Sequence, residues 1–256
     1  MSGTSAGVAC ALPPDPCHVS LTECSMRVPE IIAHRGTPRE WMENTLPSFE
    51  RALQQGADGI ELDVHVTSDG TVVVHHDATY RDLRVSSQDR LTLASTTAAD
   101  LRRVRLPSGD AIPTLDEVLD LVATRATVYI EVKAKAMENA LVQCLAQHAT
   151  SRVAVHAFDH RIPVAIRARR PQTVIGFLSA SYPLNFNALL LREHVDALWQ
   201  EAHLIDDGLV AAAHAVGTRV IAWTENDAVH ARALTAMGVD ALCTDTPGVL
   251  RTSLRG

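Results

Sequence analysis

What this sequence has little of narrows its range before any motif is read. Aromatic residues are 4% of the 256, and no segment joins them to a basic helical face, so the usual means of holding to a lipid surface are missing. No apolar run approaches the roughly 18 residues of a membrane span, and the N-terminus has neither the basic stretch nor the apolar core of a secretory leader. Basic charge is short as well: 23 Lys and Arg stand against 30 Asp and Glu, a formal net charge of -7 with no basic cluster. That excludes a general nucleic-acid or anionic-membrane surface, and any phosphate must be gripped locally. A cytoplasmic location, a small-molecule partner and no stable membrane association are expected.

Cysteine is sparse outside the first 25 residues, which hold Cys10, Cys17 and Cys24; Cys144 and Cys243 stand alone among apolar neighbours. A disulfide framework is not expected in a chain of this size. Residues 1–28 have no hydrophobic period and are expected to form a poorly ordered arm. The remainder, 29–256, reads as one globular domain, with 46% hydrophobic residues overall to fill a single large core.

What is present is an alternation. β-Branched runs at 31–35, 58–64, 127–133, 152–158, 173–178, 195–199, 219–224 and 239–245 make eight strand candidates, most of them separated by helix-period segments. In the first such segment Leu46, Phe49 and Leu53 share a face, Pro47 suits the first turn and Gly56 stops it. "TLDEVLDLVA" opens with a Thr114/Glu117 capping box and carries Leu115, Val118, Leu119 and Val122 on one stripe. Eight strands with helical crossovers predict an α/β fold, the (β/α)8 TIM barrel, ahead of a doubly wound open sheet.

The alternation breaks once. "TVVVHH" follows "ELDVHV" after too few residues for a parallel crossover, so residues 60–77 are expected to form an antiparallel β-hairpin turning near Thr67–Gly70. A two-residue turn sets Asp63 opposite His76, and a four-residue loop sets Glu61 there. Either register faces His76 with a carboxylate. Alternation then puts Glu61, Asp63 and His65 on one face and turns His75 away from His76, as a structural or solvated histidine.

In such barrels chemistry gathers at the C-terminal strand ends, which adds His34 and Arg35 from the first strand and Glu131 and Lys133 from "YIEVK". So many buried charges are costly unless paired or bound to an ion. Glu61, Asp63 and Glu131 offer only oxygen, which favours a hard divalent cation, Mg2+ or Ca2+. Arg35 and Lys133 would neutralise a phosphodiester, and two histidines supply one base and one acid. The types present read as phosphodiester cleavage.

"AHRG", "MENTLPSFERALQQGADGIELDVHVTSDGTVVVHHD", "IPTLDEVLDL", "YIEVK", "AWTEND" and "GVDALCTDTP", in this order, closely resemble the glycerophosphodiester phosphodiesterases, relatives of the phosphatidylinositol-type phospholipases. The resemblance runs from about Pro29 to Leu250. It implies a TIM barrel with a small insertion after the "HHD" strand, about 78–111. It also implies catalytic histidines at His34 and His76, metal carboxylates at Glu61, Asp63 and Glu131, and phosphate-binding cations at Arg35 and Lys133. Asn44 is implied to support the phosphate site and Trp223 to lie near the glycerol, where a core aromatic is the competing reading.

Three departures touch the expected mouth: Met42-Glu43 where a proline is usual before "ENT", Arg81-Asp82-Leu83 for "RTT", and Ala157-Phe158 for "SF". "SASYPLNFN" (179–187) either lines the mouth or packs over it. The activity implied is metal-dependent hydrolysis of glycerophosphodiesters to sn-glycerol 3-phosphate and an alcohol. The alternatives are a lysophospholipase D or sphingomyelinase D-like phosphodiesterase and, in another class, a noncatalytic phosphate-binding scaffold.

Overall fold

Each β-branched run becomes a strand whose alternate residues face two different apolar environments, and this two-sided burial is what the sequence pattern encodes. The computed structural model describes residues 28–82 and 90–255; the N-terminal arm with its three cysteines lies outside them. The first half contains β1 (Glu30–His34), α1 (Leu46–Gln54), β2 (Gly59–Val66), β3 (Val72–Val74), β4 (Thr79–Tyr80), β5 (Leu91–Thr92), α2 (Ala98–Leu101), α3 (Leu115–Val122) and β6 (Thr127–Val132). It continues with α4 (Glu138–Gln147), β7 (Val153–Ala157), α5 (Arg161–Arg169), β8 (Val174–Ser179), α6 (Asn187–Arg192) and β9 (Ala197–Glu201). The last elements are α7 (Asp207–His214), β10 (Arg219–Trp223), α8 (Ala228–Met237), β11 (Ala241–Thr244) and α9 (Pro247–Arg255).

Strands β1, β2 and β6 to β11 are parallel neighbours in a ring, closed because β1 pairs with β11 on one side and β2 on the other. This is the (β/α)8 barrel, and closure excludes the open sheet. Outward residues such as Ile60, Leu62 and Val64 pack with Phe49 of α1 and Leu115 and Leu119 of α3. Inward residues, including Ile32, Tyr129, Ala154, Trp199, Ile221 and Cys243, fill the interior. The same inward lane, continued toward the C-terminal strand ends, passes through His34, Glu61, Asp63, Glu131, His156 and Trp223. Period-two geometry therefore delivers these side chains to one end of the barrel.

The capping box starts α3 as expected: Glu117 N donates to Thr114 Oγ1 at 3.2 Å, and Thr114 N donates to Glu117 Oε2 at 2.8 Å. The hairpin forms, but in neither expected register. Val64 pairs with Val74 and His65 with Val73, midway between the two alternatives. The loop between Thr67 and Thr71 has three residues, because Gly70 takes a positive φ of 83° and the Thr67 hydroxyl accepts from Thr71 N. Asp63 O accordingly accepts from His75 N at 3.0 Å, so His75, not His76, lies across from Asp63 along the backbone. His76 still reaches the centre because β3 ends at Val74 and the chain leaves the pleat there.

β3 can pair with β2 because β1 stops at His34, opposite Glu61, leaving the last residues of β2 a free edge. The segment after it carries the two-stranded β4–β5 sheet and α2. These cover Val73 with a separate apolar cluster of Tyr80, Leu93, Leu101, Val104 and Leu106, against which Met42 also packs. Met42, a departure from the family pattern, thus ties the loop after β1 to the insertion.

Candidate active site

At the C-terminal end of the barrel a pocket of about 150 Å³ is lined by His34, Arg35, Glu61, His76, Glu131 and Lys133, with His156, Phe158, Trp199, Trp223 and Cys243 completing its wall. A larger hollow of about 490 Å³ opens among the N-terminal strand ends. There Tyr129 Oη and Arg219 Nη2 both donate to Glu30. At the smaller pocket, charges remain crowded and partly unmet.

Three carboxylates meet there in very different surroundings. Burial works against ionising Asp63, but Arg35, Lys133 and Asn44 outweigh it and hold its carboxyl below the ordinary range. Arg35 Nε lies 3.0 Å from Asp63 Oδ2, Asn44 Nδ2 donates to the same oxygen at 2.9 Å, and Lys133 Nζ is 3.5 Å from Oδ1. Glu131 accepts from Lys133 Nζ at 2.8 Å, yet burial and the Asp63 charge still raise its pKa. Glu61, 2% exposed, has among the described residues only the Arg35 backbone N–H donating, at 3.2 Å; burial, then Asp63 and Glu131, push its pKa well up.

That surplus of buried negative charge fits a divalent cation. Arg35 and Lys133 are spoken for by Asp63, Glu131 and Glu43, the last accepting from Arg35 Nη1 at 3.1 Å. Asp63 Oδ1 is buried without a hydrogen bond. Donor atoms of Glu61, Glu131 and His156 lie within 4.8 Å of one another. A dication there would meet the carboxylates' charge and leave the guanidinium and ammonium groups for an anion.

His34 Nδ1 lies 2.8 Å from Asp245 Oδ1, and His76 Nδ1 lies 2.9 Å from Asp77 Oδ1. Each carboxylate can orient its imidazole by Nδ1, an arrangement able to present Nε2 to the pocket. Asp245 is itself held by Asn226 Nδ2 at 2.9 Å, and Asp77 by Arg90 Nη2 at 2.6 Å. The backbone of His76 is fixed too, since its carbonyl oxygen lies 3.0 Å from His65 Nε2. His65 therefore serves as a buried prop.

Of the sequence-predicted residues, Asn44 and Asp63 stand behind the pocket wall rather than in it, and Asn44 lies against Asp63. Asn44 is 1% exposed, adopts a positive φ of 56° and grips Asp63, whose N donates to Asn44 Oδ1 at 3.4 Å. Trp223 lines the pocket, edge-on to Phe158 at 5.6 Å, while Tyr182 and Leu184 of the 179–187 segment are exposed, Leu184 at 83%. That segment does not seal the pocket. Sequence reasoning missed Asp245, Asp77 and His156, though each follows a signal: the first two sit beside a motif residue or an inward lane, and His156 lies two residues beyond inward Ala154.

Comparison with known proteins places this architecture. Residues 34–249 match the model of the glycerophosphoryl diester phosphodiesterase family. A glycerophosphodiester phosphodiesterase from Caldanaerobacter subterraneus subsp. tengcongensis is 29% identical over 88% of this chain and 97% of its own. A probable glycerophosphodiester phosphodiesterase 2 from Mycobacterium tuberculosis is 31% identical over 87% of this chain and 89% of its own. Among solved structures, a phosphodiesterase from Oleispira antarctica in complex with the product sn-glycerol-3-phosphate superposes with a TM-score of 0.81 at 26% identity, covering 89% of this chain and 97% of that one.

Proposed function

This chain belongs to the glycerophosphoryl diester phosphodiesterase family, and from that premise we propose that it hydrolyses glycerophosphodiesters to sn-glycerol 3-phosphate and a free alcohol. The observation that carries the reading is the pair of histidines, each braced at Nδ1 by an aspartate, in one pocket with Glu61, Glu131, Arg35 and Lys133. The product held by the Oleispira relative supports the glycerol phosphate half.

Glu61 and Glu131, with Asp63 behind them, would hold a divalent cation, which when bound supplies positive charge to the phosphoryl oxygens. Arg35 and Lys133 bind and orient the phosphodiester from the pocket wall. Asn44 acts one step back, keeping Asp63 and through it Arg35 in place. Trp223 and Phe158 give the glycerol an apolar wall. The glycerol 2-hydroxyl lies beside phosphorus, and attack through a five-membered ring gains the effective molarity of an intramolecular nucleophile. One histidine takes the proton of that hydroxyl and the other protonates the leaving alcohol; they exchange roles as water opens the cyclic phosphate.

Glycerophosphocholine with added divalent cation is expected to give glycerol 3-phosphate and choline. A propane-1,3-diol phosphocholine, which lacks the 2-hydroxyl, is expected to bind but turn over very slowly. Comparable rates would replace the cyclic route by direct attack of water, and no turnover of either would leave a phosphate-binding scaffold. Exposed Phe158, Tyr182 and Leu184, which follow β7 and β8 at this end of the barrel, favour a second reading, a lysophospholipase D. Faster choline release from lysophosphatidylcholine than from glycerophosphocholine would select it.

A further inference from the structure

A buried histidine ordinarily has partners for its ring nitrogens, since each unpaired one is costly in a dry interior. His156 departs from that rule. It is 1% exposed on the inward lane of β7, with Glu131 of β6 and Gly176 of β8 as its register neighbours. Its Nδ1 is buried without a hydrogen-bond partner. Its Nε2 lies 3.9 Å from Glu61 Oε1, beyond hydrogen-bond reach.

The ring is nevertheless held firmly. It stacks on Trp199 with centroids 4.1 Å apart and planes 10° from parallel. Trp199 reaches that position because Gly176 has no side chain: a Cβ there would come within 2.8 Å of the indole Cδ1 and Nε1. Glycine on β8 and tryptophan on β9 together fix an imidazole plane on β7. If stacking were the whole purpose, phenylalanine would serve without a buried, unpartnered Nδ1.

The spacing gives the purpose. Two donors each about 2.0–2.2 Å from one ion stand up to roughly 4 Å apart. The 3.9 Å between His156 Nε2 and Glu61 Oε1 is such a separation, and Glu131 brings a third donor within 4.8 Å. We propose that His156 is a ligand of the divalent cation, giving the site one imidazole nitrogen beside the Glu61 and Glu131 oxygens. An all-oxygen set suits Mg2+ and Ca2+, whereas a nitrogen donor turns preference toward Mn2+, Co2+ and Zn2+. The inference rests on the cation site proposed above and names the metal class of that site.

The test uses the full chain, stripped with chelator and titrated with Mn2+ and Mg2+, as wild type and as His156→Gln, with circular dichroism to verify folding. The wild type is expected to bind Mn2+ at least about 10-fold more tightly than Mg2+. H156Q is expected to lose about 10-fold or more of the Mn2+ affinity and little of the Mg2+ affinity. A second readout needs no substitution: protein labelled with 15N-histidine and loaded with Mn2+ should show directly coupled nitrogen by electron spin-echo modulation. H34A and H76A should keep that coupling and H156Q should lose it. Bound Mn2+ without coupled nitrogen in the wild type, or unchanged Mn2+ affinity in folded H156Q, overturns His156 as a ligand and leaves the cation site standing. A wild type that binds no dication overturns both.

Discussion

Replacing His34 or His76 by alanine is expected to lower kcat by about 10²-fold or more in each case, the usual range for losing a positioned acid or base. The two losses should not multiply in the double variant, because the histidines serve one proton relay and either deletion stops it. Their effects should fall on kcat more than on KM, since Arg35 and Lys133 still grip the phosphate. His75→Ala should leave turnover nearly unchanged: it lies outside the pocket wall and meets Asp63 only through its backbone N–H. Asp245→Asn should cost about 10-fold or more, because an amide no longer favours the Nδ1–H form of His34 that its 2.8 Å contact selects. A folded His76→Ala with wild-type kcat beside an inactive His75→Ala would reverse the assignment of the two neighbours.

Exhaustive chelation is the second large effect: turnover should disappear and return on adding a divalent cation, Mn2+ at lower concentration than Mg2+. The reason lies in the charge of the apo centre. Without a dication, Glu61 and Glu131 are pushed toward protonation by burial and by the charge of Asp63, and Arg35 and Lys133 remain tied to Asp63, Glu131 and Glu43. An anionic substrate then meets cations already occupied. Asp63→Asn should weaken cation binding by removing a charge, and substrate binding by loosening the position that Asp63 gives Arg35. Full activity after chelation, with metal content verified by elemental analysis, would remove the cation from the scheme.

Much of this was legible in the residues. The eight strands could be read because a parallel strand buried on both faces is a short, nearly continuous apolar run, and turn residues or helical periods bound each one. Glu61, Asp63 and Glu131 stood out because carboxylates inside such runs have no structural excuse. The hairpin register was hidden: it depends on a positive φ at Gly70 and on Thr67 capping Thr71, so three loop residues replaced the two or four that strand pairing alone suggests. His156 is hidden because a lone histidine in "VAVHAF" has an ordinary core reading, and only its unpartnered Nδ1 and the 3.9 Å from its Nε2 to Glu61 argue otherwise. The "ENT" motif reads as a phosphate support, whereas the contact that Asn44 makes is with Asp63.

Closure of the barrel has a kinetic meaning of its own. His34 ends β1 and Asp245 follows β11, so their contact joins residues 211 positions apart and forms only where the first and last barrel strands meet. Contacts of such sequence separation carry the loop entropy of nearly the whole chain and are slow to form. A partly assembled chain, with most strands paired but the ring open, would have the carboxylates of Glu61, Asp63 and Glu131 on β2 and β6 in place and its His34 unbraced. Recovery of turnover during refolding should therefore lag behind recovery of cation binding, and the lag would time the last seam of the ring.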